Sequence, residues 1–266
     1  MAIIETKNSE VRALKGLHLY HAAISNCSQK VRFCLDEKGL SWQSHEVNLR
    51  QSEHLTPEFL SINPRGMVPV LVHDGAVIID SSDIILYIED AFPNPPLCPK
   101  SPEDQVLSAD WLTLWDETQP DIKTLTHAGR IGGFRRAGGR LPIELAMARD
   151  NGLQNPDLIA FLAELASAEG LAPARISASM AAAHDRLRRL EGRLSSHDWL
   201  ASDSFSLADL AWSIDVHRFQ FLGMALDAYP SVARWYETVR RRPAFERMVT
   251  AYERAAMQAM GAAPVQ

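Results

Sequence analysis

Basic excess is missing from this chain: 27 lysines and arginines stand against 33 aspartates and glutamates, a net charge of −6. Nucleic-acid binders show a basic face, so that class is set aside. Long apolar runs are missing as well. No stretch reaches the roughly eighteen apolar residues of a membrane span, and no membrane partner is expected. The opening residues, Met1 to Lys15, mix charges with isolated apolar residues and lack the apolar core of a secretory signal. Cysteine is scarce, at three in 266 residues, too few for a disulfide framework. The chain therefore reads as a cytoplasmic protein of a reducing compartment. No set of His, Cys, Asp and Glu has metal-ligand spacing, so no metal is expected. No Gly-Lys-[Ser/Thr] phosphate loop, internal repeat or heptad run is present either.

What is present begins with Cys27. It follows a short strand, Leu17 to Tyr20, and opens an amphipathic helix that stops at Gly39. A thiol at a helix N-terminus meets free backbone N–H groups and the positive end of the macrodipole. Both favour thiolate, so such a cysteine can be ionised at neutral pH. Three positions on stands Lys30, not a second cysteine, so the site is not a dithiol pair. Cys34 lies about two turns further along and is expected in the core.

The order to about residue 91 is strand, helix, strand, helix, strand, strand, helix. The second strand is expected over Gln43 to Leu49, and a short helix near Thr56 to Leu60. Val70-Leu71-Val72 and Ala76 to Ile79 flank Asp74-Gly75, a hairpin signal. Asp80 to Asp83 caps a helix over Ile84 to Ala91. Pro93 to Pro99 reads as a semi-rigid linker. Everything beyond it has helical periodicity, with a capping box at Ser206-Leu207-Ala208-Asp209. The expected organisation is a loose extension over 1–16, an α/β domain over 17–93, a linker over 94–103, an all-α domain over 104–258 and a tail over 259–266.

Three segments together resemble the cytosolic glutathione transferases: Asn63-Pro64-Arg65-Gly66-Met67-Val68-Pro69, Asp80-Ser81-Ser82-Asp83-Ile84-Ile85-Leu86-Tyr87-Ile88, and Ser206-Leu207-Ala208-Asp209. The resemblance covers roughly Leu17 to Ala256. It implies a thioredoxin-like N-terminal domain, an all-α helical-bundle C-terminal domain and glutathione as co-substrate. Tyrosine-type members carry a tyrosine on the first strand; Tyr20 lies there, but before the loop. Ser25-x-Cys27-Ser28 is instead similar to the serine- and cysteine-type members, tetrachlorohydroquinone reductive dehalogenases and bacterial β-aryl etherases among them.

That resemblance implies a set of site residues. Pro69 would be a cis proline that frees the Val68 backbone to pair with the tripeptide, a form of strand addition. Asn26, Met67, Asp80 and Ser81 complete the expected glutathione contacts, with Asp80 and Ser81 at a helix N-terminus that can hold a carboxylate. The family usually has Glu where Asp80 stands. Cys27 and Ser25 are the expected catalytic pair: Cys27 as an attacking sulfur, Ser25 as a hydrogen-bond donor to the glutathione thiolate. Ser28 is read as a cap for backbone N–H groups. Trp111, Trp115, His127, Phe134 and Arg218 fall where family members line a substrate site. Core packing competes for the two tryptophans, and a surface ion pair for Arg218. The Gly/Arg-rich run from Gly129 to Arg140 reads as a mobile loop, with a lid the alternative. The expected activity is thiolate substitution on, or reductive removal from, a small aromatic electrophile, in a dimer with an identical or similar subunit. The rival is a non-catalytic ligand-binding protein on the same scaffold.

Overall fold

The computed structural model describes residues 3–6, 8–129 and 138–259. Contacts divide the chain into two units that interleave along the sequence. The first takes the chain up to Ala22, Trp42–Ile84 and Lys123–Ala178; the second takes Ala23–Ser41, Ile85–Ile122 and the chain from Ser179. The sequence reading draws one linear boundary at the Pro-rich segment; contacts group segments from both sides of it.

The first unit holds a five-stranded sheet in the order β1-β5-β4-β2-β3. Its strands are β1 (Ile3–Ile4), β2 (Leu17–His21), β3 (Gln43–Glu46), β4 (Val70–His73) and β5 (Ala76–Ile79). Among the described residues only β2 and β3 run parallel, and helix α2 (Asn26–Glu37) is the crossover such a pair needs. The β4–β5 hairpin turns at Asp74 and Gly75, both at positive φ, as a two-residue loop of this hand requires. One face of the sheet packs Val70, Val72, Val77 and Ile79 with Val11, Val47, Phe59 and Ile62. Leu19, Leu71 and Ile78 on the alternate positions are also buried. Each such side chain contributes about 1.5–3 kcal/mol.

Two expectations change here. Of the stretch read as a loose extension over 1–16, the described residues are ordered into a strand and a helix. Ile3 and Ile4 pair with Ile78 and Val77, and a short helix, α1 (Ser9–Ala13), follows with Asn8 as its cap. Thr6 and Asn8 also hydrogen-bond Ser61, on α3 (Pro57–Ile62). A two-residue strand carries too little alternation to read. The second strand also ends early, at Glu46. Asn48 accepts from the N–H groups of Arg50 and Gln51 and so turns the chain into a 3₁₀ segment, Leu49–Gln51.

Two helices of this unit, α6 (Leu141–Asp150) and α7 (Pro156–Ala166), brace the Asn63–Pro69 turn. Helix α4 is Ser81–Ala91 and α5 is Pro102–Ala128. Gln154 N donates to Pro64 O at 2.8 Å, and Asn155 Nδ2 donates to Arg65 O at 3.2 Å. Asn63 is buried; its Nδ2 donates to Met67 O at 2.8 Å, and its Oδ1 accepts from Arg65 N at 3.1 Å. Gly66 sits at φ +61, and a Cβ there would lie 2.5 Å from Leu153 Cδ1 and 3.2 Å from His54 O. Gly152, in the same unit, has φ +72 and open space around it. Gly66→Ala should therefore cost about 1–3 kcal/mol more than Gly152→Ala in urea unfolding. Equal costs would remove packing from the account.

The second unit is helical: α2, most of α4 and α5, then α8 (Pro173–Leu194), α9 (Leu207–Phe221), α10 (Pro230–Arg240) and a terminal helix, Ala251–Ala259. Trp115, Trp212, Phe33, Phe219 and Phe245 are fully buried in it. The Pro-rich segment is fastened rather than spaced. Lys38 Nζ donates to Phe92 O at 2.9 Å and Pro95 O at 2.7 Å and pairs with Glu89. Glu89 in turn accepts from the N–H groups of Leu97 and Cys98, and Leu97 O accepts from Leu207 N at 2.9 Å. No helix among the described residues is long and apolar enough to cross a membrane.

Candidate active site

Ser25 ends the extended backbone after β2 and caps α2: its Oγ accepts from Ser28 N at 3.3 Å. The cap is thus Ser25, and Ser28, read as the cap from sequence, supplies the N–H. Using the Ser25 oxygen as acceptor leaves its hydroxyl proton for another partner. Cys27 falls in the first helical turn, half-buried, where backbone N–H groups have no intrahelical acceptor.

A polar network of the second unit surrounds it. Cys27 Sγ lies 3.8 Å from Gln119 Oε1. Gln119 Nε2 donates to Trp115 O at 2.9 Å and to Asp215 Oδ2 at 3.1 Å, which fixes the amide with its oxygen toward the sulfur. Asn26 Nδ2 donates to Gln119 Oε1 at 2.8 Å and Asp215 Oδ1 at 3.3 Å. Asn26, assigned to glutathione in the sequence reading, therefore gives its amide N–H groups to this network. Asp215 is fully buried, and burial pushes its carboxyl up to about 7, against the pull of Asn26, Lys30, Gln119 and Arg218.

Two cations belong to the same network. Lys30 is fully buried with Nζ 3.3 Å from the Trp115 ring centroid, and burial lowers its ammonium to about 8. Arg218 is buried, contrary to the surface ion pair offered as its alternative. Its Nη2 donates to Ile24 O, while Nε and Nη1 have no hydrogen-bond partner among the described residues. The charges of Lys30 and Arg218 both interact with that of Cys27. Cys34 is in the core as expected, and burial raises its thiol far above the ordinary range.

Other sequence-predicted residues fall as follows. Trp115 is enclosed, and Trp111 is 8% exposed with its carbonyl accepting from Trp212 Nε1 at 2.9 Å, so both are core residues. This corrects the use of Trp115 as a substrate wall, since Lys30 covers its ring. His127, in the first unit, stands edge-on to Phe161 at 5.4 Å. Phe134, with Arg130 to Ala137, lies outside the described residues. Tyr20 stacks on His45 at 4.4 Å. His21 is buried and bonded to Ser44 Oγ at 2.8 Å, a structural role.

In the first unit the Val68–Pro69 bond is cis, as expected. Helix α4 starts at Ser81, three residues before the expected Ile84, with Ile84 N donating to Asp80 O at 2.9 Å. Asp80 is at φ +63, and its carboxylate pairs with Arg65 at 2.7 Å, both half-exposed. Ser81 is buried at the helix start.

Sequence reasoning missed Lys30, Gln119 and Asp215. The spacing of Cys27 and Lys30, one helical turn apart, was visible; that Gln119 and Asp215 would meet them was not.

Known proteins resemble this chain in sequence and fold. Residues 19–96 match the glutathione S-transferase N-terminal domain, and residues 173–243 match its C-terminal domain. The chain is 47% identical over 92 residues to glutathione S-transferase 1 of Dianthus caryophyllus, a match covering 35% of this chain and 42% of that protein. It is 25% identical over 244 residues to the tetrachloro-p-hydroquinone reductive dehalogenase of Sphingobium chlorophenolicum, covering 86% of this chain and 93% of that one. The structure of the β-etherase LigF from Sphingobium sp. strain SYK-6 superimposes with a TM-score of 0.78 at 27% identity, over 87% of this chain and 98% of that one. The chain belongs to the glutathione S-transferase family, for which glutathione is the co-substrate.

Proposed function

We propose that this protein is a glutathione-dependent enzyme acting on a small, hydrophobic aromatic electrophile, with Cys27 as the protein's reacting sulfur. The observation that carries the reading is a half-buried thiol in the first turn of α2, within the charge fields of Lys30 and Arg218. Cations and a helix N-terminus are the surroundings of reactive, rather than inert, cysteines. The name of one relative, a tetrachloro-p-hydroquinone reductive dehalogenase, supports an aromatic substrate.

Met67, Val68, Pro69, Asp80 and Ser81 are assigned to the tripeptide's backbone and carboxylate, and Ser25 to its sulfur through the free hydroxyl proton. In the first step the glutathione thiolate attacks the substrate carbon; a C–S bond forms and halide or aryloxide leaves with the bonding pair. In the reductive variant the Cys27 thiolate then attacks the sulfur of the conjugate. An S–S bond forms, the C–S bond breaks, and the aryl carbon takes the electron pair and a proton. A second glutathione thiolate attacks the mixed disulfide, releasing oxidised glutathione and restoring Cys27.

The test is intact mass after incubation with oxidised glutathione. One adduct that reduced glutathione removes, present in wild type and missing from Cys27→Ser, is expected. Binding of glutathione with no adduct on wild type would move the chemistry to Ser25 and to direct substitution.

A further inference from the structure

A lysine buried against an aromatic ring asks for a reason. Lys30 is 0% exposed. Burying an ammonium is costly, and a methionine of similar length would fill the same space at no such cost. Its position is specific. It stands one helical turn after Cys27 on α2, so the two side chains leave the same face. Its Nζ sits 3.3 Å over Trp115, and the carbonyl of that residue holds Gln119, whose Oε1 faces Cys27 Sγ. One turn of α5 thus seats both the ammonium and the amide that meets the thiol.

We propose that Lys30 is a positioning residue for Cys27: its buried ammonium, seated on Trp115 and balanced by Asp215, stabilises the Cys27 thiolate. The proposal rests on the reading of Cys27 as the reacting sulfur and adds the group that makes it one.

The charged groups that face this pair are Asp116 on α5 and Asp215 and Arg218 on α9, and the titratable thiol of Cys34 on α2 itself stays protonated. Glu253 on the terminal helix acts on Arg218. Asp215 is clamped by Asn26 and Gln119 rather than by direct contact with the thiol, so it offsets the ammonium without meeting the sulfur. Lys30, lowered to about 8, keeps its proton through neutral pH, the range in which the thiolate needs it.

The experiment is alkylation of the full-length protein by iodoacetamide from about pH 5 to about pH 10, reading the Cys27 peptide by mass spectrometry. Cys27→Ser supplies the background from Cys98. Lys30→Met should move the alkylation midpoint upward by about one pH unit or more, cutting the neutral-pH rate roughly tenfold, and Lys30→Arg should hold it near wild type. A Lys30→Met protein with native circular dichroism and an unmoved midpoint overturns the proposal. If Lys30→Met does not fold, Lys30→Gln takes its place, and a natively folded Lys30→Gln protein with an unmoved midpoint overturns the proposal instead. The midpoint uses no substrate, so it separates from the functional reading. Full turnover in Cys27→Ser would sink that reading while leaving the Lys30 result standing.

Discussion

Cys27→Ser should lower turnover of the aromatic electrophile on the order of 10²–10⁴-fold, with the fold intact. The serine hydroxyl keeps its proton at neutral pH and forms no disulfide, so the step through a protein–glutathione mixed disulfide is closed to it. Stability should barely change, because the residue is half-buried and the swap is close to isosteric. Ser25 needs a different substitution. Its oxygen caps α2, so Ser25→Ala removes both the cap, worth about 1 kcal/mol, and any hydrogen bond to glutathione sulfur. Ser25→Gly costs the cap only a few tenths of a kcal/mol and isolates the chemical role. Steady-state rates for Cys27→Ser and Ser25→Gly, beside their melting temperatures, divide the two mechanisms. A large loss at Cys27 places the protein with the reductive reading. A loss at Ser25 alone places it with direct substitution.

Asp209→Ala should be the most damaging single change for stability, at about 3–5 kcal/mol or on the order of 10 °C in melting temperature. The fully buried Asp209 carboxylate accepts from four donors: Leu200 N at 2.9 Å, Trp235 Nε1 at 3.0 Å, Ser206 N at 3.0 Å and Ser206 Oγ at 2.8 Å. Alanine leaves these buried donors without an acceptor, and each unsatisfied group costs about 1–3 kcal/mol. The pH dependence has a definite sign. Burial raises this carboxyl from 3.8 to about 6, so between these values the folded state binds more protons than the unfolded one. Through this group stability falls as pH rises from about 4 to about 6, and is level beyond. The alanine variant lacks that slope. Chemical denaturation across this range, on both proteins, checks the magnitude and the sign together.

Much of the fold was legible because its signals are local. Asp74-Gly75 named the hairpin, Ser206 to Asp209 named the start of α9, and the short apolar runs on either side of Asp74-Gly75 named β4 and β5. The same holds for Cys27, since a helix start after a strand is a short-range pattern. What escaped is long-range. Asp215 meets Asn26 from 189 positions away, and Gln119 from 96. No periodicity announces that these polar side chains turn inward together. Lys30 escaped for a related reason: a charged residue on an amphipathic helix reads as solvent-facing, and only the packed structure shows the Trp115 ring that makes burial tolerable; Arg218 was named from sequence, but its burial was not. Ile3 and Ile4 are too few to read as a strand without their pairing to β5.

The bonds around Lys38 bear on how this chain can be cut and recombined. A Pro-rich stretch between two family domains invites truncation or chimera-making at that point. Here the stretch carries the acceptors of a fully buried ammonium and one end of a main-chain bond to Leu207. A fragment ending at residue 93 would take away Pro95 O, and Glu89 would lose the N–H groups of Leu97 and Cys98. A graft that keeps the family boundary but alters residues 92–98 would bring a foreign backbone to a charge that needs this one. The unit of exchange is thus the segment together with Lys38 and Glu89.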